Sequence, residues 1–223
     1  MRNPRTLAAV FVSCLLFLLP CRHAAAAAAG GSAKGTTYVF HVSGMLFFDP
    51  ALGVMIPMAD DDYTDHVGVS FKLAFLTGGF IFRIGPIFLG PELAVDFTPL
   101  NVKEDYDQFN LKLFRMRIQA GARIVYPIPR YERMRLFWRF NIGMDIAWGD
   151  WDIRGVNEDD ASTGLALDFI GGFEIMVHRI VGVGAYMALP VSVHTGHFFN
   201  VEGYNSLDLD FMAHVSIYPF EIK

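Results

Sequence analysis

The chain has little with which to staple, anchor or metallate itself. Its only cysteines, Cys14 and Cys21, fall near the start, so a disulfide framework or a cysteine-ligated zinc or redox centre is excluded from everything after them. No run of 18 or more apolar residues exists, which excludes a membrane-spanning helix. A strong excess of one charge is lacking too. Eighteen Lys and Arg against 23 Asp and Glu give a net charge of −5, which argues against nucleic acid as a partner. No glycine-rich loop opens a helix, since Gly171 and Gly172 sit inside a strand pattern, and no residue spacing implies a cofactor or a metal. What is abundant is apolar and aromatic side chain, at 53% and 14% of the chain, and without a helical span this content needs another explanation.

The start reads as an export signal. Arg2 and Arg5 precede an apolar stretch over 7–19, and the alanines of 24–29 offer small-x-small cleavage sites. We therefore expect a cleaved signal over 1–29, a flexible linker over 30–36 and one domain over 37–220. Cys21 raises the possibility of a lipid anchor, but Pro20 stands where such a signal wants a small residue.

Residues 133–148 organise the rest. Met134, Leu136, Trp138, Phe140, Ile142, Met144, Ile146 and Trp148 share one parity; Arg133, Arg135, Arg139, Asn141 and Asp145 are on the other. Alternation of period two over sixteen residues gives a β-strand with one apolar and one polar face. Its length suits a tilted membrane-spanning strand, which needs about nine to eleven residues, better than the five or six typical of soluble strands. The same alternation predicts strands over 37–48, 66–76, 87–97, 109–125, 163–177, 180–194 and 206–218. A parity switch near Leu113 predicts a β-bulge there. Odd-numbered connections read as long and mostly acidic: 49–65 with Pro50, Pro57 and Asp60 to Asp62, then 98–108, 149–162 with Glu158, Asp159 and Asp160, and the segment after 194. Even-numbered ones read as tight.

These features predict an all-β fold, an eight-stranded antiparallel up-and-down transmembrane barrel. A soluble β-sandwich would also alternate. Against it stand the strand lengths, the alternating loop lengths and the glycines of the polar face, among them Gly68, Gly121, Gly143, Gly172, Gly182 and Gly184, which leave room for large neighbours inside a narrow lumen.

If the polar faces line a lumen, it holds Lys72, Arg115, Arg117, Arg123, Arg135 and Arg139 with Glu92, Asp96, Asp145, Asp168, Glu174, Asp208 and Asp210. Charges in such a place need partners, so we expect an ion-pair network that plugs the barrel.

Strand count, facing and loop order together resemble the small outer-membrane barrels of the OmpA transmembrane-domain and OmpX type from Gram-negative bacteria. The resemblance implies a monomer in the outer membrane, delivered by the barrel-assembly machinery, in contact with outer-membrane lipid and lipopolysaccharide. It departs at the end, where the aromatic Phe220 is out of phase with Ile217 and is followed by Glu221, Ile222 and Lys223.

The expected role is non-enzymatic, structural or surface-interacting through four outer loops, with a narrow porin-like channel as the alternative. A lipid-modifying enzyme is a third reading. His41 with Ser43, and Ser192 with His194, put a nucleophile and a base on one face, about 6 to 7 Å apart. Hydrogen bonding inside the lumen is the plainer account. His66, His194 and His197 lie near the outer rim without a metal-enforcing spacing, and the acidic loops lack the glycine that shapes a calcium loop.

Overall fold

The computed structural model describes residues 44–59, 61–103, 112–131, 133–153, 156–194, 197–198, 201–202, 205–219 and 221–222. The export signal, the linker, His41 and Ser43 lie outside them. Eight long strands follow one another: β1 Gly44–Ala59, β2 Ser70–Phe80, β3 Ile87–Leu100, β4 Lys112–Pro127, β5 Met134–Ile153, β6 Val156–His178, β7 Val181–His194 and β8 Asn205–Ile217. A short helix, α1 Asp61–His66, joins β1 to β2, and Phe82–Ile84 extends β2 along β3 after a one-residue shift at Ile81.

Each strand pairs antiparallel with the next, and β8 pairs back onto β1, so the sheet closes. Followed around the barrel, Phe48 pairs with Thr77, then the path runs through Leu93, Ala120, Ile142, Leu167, Val191 and Leu207 to Ala59. One circuit therefore climbs β1 from Phe48 to Ala59, and this stagger tilts the strands against the barrel axis.

Alternation decides what faces where. On β5, Phe137, Arg139, Asn141, Asp145 and Ala147 are buried, while Phe140, Ile142 and Met144 are exposed. The same holds all round: Leu52, Phe71, Leu93, Ile118, Phe169, Met187 and Phe211 are exposed, and Lys72, Asp96, Arg117, Asp168 and Asp210 are buried. The exterior is apolar and the interior charged, the inverse of a soluble barrel and the arrangement of a membrane-spanning one.

Several expected boundaries are corrected. β1, whose expected start at 37 lies outside the described residues, runs from Gly44 on to Ala59, through the segment read as a loop from Pro50 and Pro57. The parity signal outranks the prolines there, with Leu46, Phe48, Leu52, Val54 and Met58 exposed against buried Phe47, Asp49, Ala51 and Met55. Pro50 has no N–H to give, and the β1–β8 ladder skips it, passing from Phe48–Ile217 to Ala51–His214. Residues 66–69 precede β2 instead of opening it.

No bulge occurs at Leu113, where the β4 registers with β3 and β5 run unshifted. Leu113 faces inward in phase with Arg115, and packs with Met55, Val67, Leu100 and Ala147 in an apolar layer at the loop end of the interior. The parity switch inferred from Phe109 and Leu111 rests on residues outside those described. The expected loop over 149–162 is a continuation of β5 and β6, which stay paired out to Ile153–Val156.

Gly182 accounts for one close approach. A β-carbon there would come 2.5 Å from the Glu174 carboxyl carbon. Gly182→Val should force Glu174 out of its place and cost about 1–3 kcal/mol, read as a fall in the urea midpoint of the folded barrel; an unchanged midpoint would mean that Glu174 has slack.

Candidate functional site

The interior charges fall into two groups along the barrel axis. Toward the loops, Lys72 Nζ lies 2.7 Å from Asp210 Oδ2 and 3.0 Å from Asp96 Oδ2. Beside it, Arg117 bridges three strands: Nε is 3.0 Å from Asp145 Oδ2, Nη2 is 2.9 Å from Asp208 Oδ2, and Nη1 is 3.9 Å from Asp168 Oδ1. Arg115 Nη2 donates to the same Asp208 oxygen at 2.6 Å. Three cations thus meet five carboxylates. Their partners come from β2, β3, β4, β5, β6 and β8, and the alternation of each strand delivers them to one interior space.

Toward the turns, Arg123 pairs with Asp49 and reaches Glu174 Oε2 at 3.5 Å, while Tyr218 donates to both Glu174 oxygens at 2.9 Å. Arg135, the least buried of the predicted interior cations, lies 3.7 Å from Glu174 Oε1. Arg123 also stacks near Phe47 and Phe137, with its guanidinium carbon 4.7 and 4.8 Å from their centroids. Arg139 is held differently. It sits between Phe137 at 4.6 Å and Tyr186 at 4.5 Å, and its guanidinium nitrogens have no hydrogen-bond partner among the described residues. The aromatic faces supply part of what a carboxylate would. Glu92 accepts from Asn141 Nδ2 at 2.9 Å.

Between the groups lies a cavity of about 20 Å³, lined by Lys72, Asp96, Gln119, Asn141, Asp168, Tyr186 and Asp210 with alanines and Leu76. It has the polarity and size to take a single water.

The paired serine and histidine are rearranged. Ser192 donates to Asp145 Oδ2 at 2.5 Å and does not bond His194; it is Ser162 whose Oγ lies 3.1 Å from His194 Nδ1. His194 Nε2 is 3.6 Å from Asp145 Oδ2, so a serine, a histidine and an aspartate do line up. Each is buried, and Asp145 Oδ2 is also engaged by Arg117 and Ser192.

The His197 side chain lies outside the described residues. Among those described, the histidine–carboxylate group with metal-like spacing is Asp49, Glu174 and His214, at the turn end. Arg123 lies on both of its carboxylates, where a cation would have to sit. Sequence reasoning missed Asp49 because Pro50 had put it in a loop. Its inward phase with Phe47 and Ala51 was the available signal.

No protein-family model and no curated protein matches the chain. Among solved structures, Neisserial surface protein A is 17% identical with a TM-score of 0.48, the match covering 78% of this chain and 96% of that one. Ail, the attachment invasion locus protein of Yersinia pestis, is 12% identical with a TM-score of 0.46, covering 79% and 98%. The outer membrane protease OmpT from Escherichia coli is 9% identical with a TM-score of 0.46, covering 82% and 99%. The barrel assignment rests on the closed pairing of the sheet itself.

Proposed function

We propose that this chain is an outer-membrane barrel whose charged interior is a structural plug, and whose loop-end connections carry a structural or surface-interaction role. One observation carries the reading: a continuous apolar exterior, with Leu52, Leu93, Ile142, Met144 and Leu165 about half exposed, surrounds fully buried arginines and carboxylates. In water that exterior would drive aggregation, and in hydrocarbon it is the stable face. The closed sheet satisfies its backbone within itself, as a bilayer requires. The plug reading is supported by Arg115, Arg117, Arg123 and Phe137, among the largest fully buried side chains, which fill the space a pore would need.

Heat-modifiability tests the reading. Extracted in mild detergent, the unboiled protein should migrate differently from the boiled one on a gel, and the folded form should give no steady conductance in planar bilayers. A single unshifted band from a soluble periplasmic fraction would overturn the membrane assignment; regular conductance steps would keep it and replace the plug by a channel.

A further inference from the structure

The two ends of the barrel differ in charge. The turn end carries exposed Arg83 on the β2 extension, Arg130 and Arg133 between β4 and β5, and His178 and Arg179 at the end of β6 and its turn. Arg135 opens toward the same end, with its side chain about a quarter exposed. The other end carries Asp61, Asp62 and Asp65 on α1 and Glu158, Asp159 and Asp160 at the start of β6, against Lys103 and Lys112.

Aromatic side chains lie toward the same end as these arginines. Phe82 and Tyr131 are exposed and Trp138 faces outward on β5, whereas Arg83 lies over the inward-facing Phe88 ring at 5.2 Å, toward the mouth of the interior. Rings of this kind settle at the boundary between hydrocarbon and headgroups. Arginines beside them therefore sit at headgroup depth, where the guanidinium fork matches phosphate oxygens two at a time.

We propose that the turn-end rim of Arg130, Arg133 and Arg179 binds the phosphodiester headgroups of anionic glycerophospholipid in the leaflet on that side. The inference rests on the membrane reading. The rim selects lipid by net charge, since a zwitterionic headgroup offers the same phosphate but repays less of the attraction. It also biases the barrel toward one orientation, because the acidic end repels the same lipids.

Trp138 reports the turn end. In a Trp148→Phe, Trp151→Phe background it is the remaining tryptophan. The protein is folded into phosphatidylcholine vesicles that carry a fixed fraction of brominated lipid, either phosphatidylglycerol or phosphatidylcholine. Brominated phosphatidylglycerol should quench Trp138 about twofold more, with the excess lost in molar salt. It should also be lost in the Arg130→Gln, Arg133→Gln, Arg179→Gln variant, whose exposed positions leave the fold intact. Millimolar inorganic phosphate should not compete, because a free ion lacks the held position of a headgroup. Equal quenching by the two lipids, a preference that survives the triple variant, or its removal by millimolar phosphate would each overturn the proposal. Quenching by neither lipid would remove the membrane reading itself.

Discussion

Arg117→Met should lower the unfolding free energy of the barrel by about 3–5 kcal/mol, the cost of breaking a buried ion pair from one side. Arg117 is 0% exposed and touches Asp145, Asp208 and Asp168. Its loss leaves Lys72 and Arg115 alone against five carboxylates, in a space where water has little room. The measurement is a denaturant titration of the folded protein in detergent or lipid. Asp208→Asn added to Arg117→Met should recover part of the loss, since it removes one of the stranded charges, and a double-mutant cycle isolates that coupling. A loss under about 1 kcal/mol would mean that the loop-side interior is wet enough to solvate the carboxylates, which is the behaviour of a channel.

Ile142→Arg is the second. Ile142 lies mid-strand on the apolar face of β5, 47% exposed, with Phe140 and Met144 on either side. In a bilayer its replacement by arginine should cost about 2–4 kcal/mol, while Met134→Arg at the turn end of the same face should cost about 0–1 kcal/mol, because the penalty follows depth in the hydrocarbon. The comparison uses the same denaturant titration in lipid vesicles. Equal costs at the two positions would contradict a bilayer around the strand.

The fold was more legible than the interior, for a physical reason. Facing is a local property: Met134 to Trp148 state it in their own alternation, and the structure keeps that parity from Phe137 to Gly149. Strand ends were legible only where no proline intervened. Pro50 and Pro57 broke the reading of β1, because the sheet tolerates their missing N–H groups: the β1–β8 ladder skips Pro50 and keeps Pro57 opposite Asp208, and nothing near either residue announces that. Partner choice is not local at all. That Arg123 meets Asp49 instead of Glu92 depends on the stagger of strands 74 residues apart in the chain, which no spacing within a strand encodes. The excess of carboxylates on the loop side is likewise a product of tilt.

Seven of the eight strand pairings join consecutive strands and can form as hairpins. Only the eighth, from Phe48–Ile217 to Ala59–Leu207, must wait for both ends of the domain. Closing it means finding one register across the longest loop the chain contains, which makes it the slow step in acquiring the native state. It is also where that state would come undone. The same ladder omits Asp49 and Pro50, so this seam has fewer backbone bonds to hold it than an uninterrupted one such as β5–β6. A barrel pulled or heated should therefore unzip between β1 and β8 first, and a covalent link across that line would raise its kinetic barrier more than the same link anywhere else around the wall.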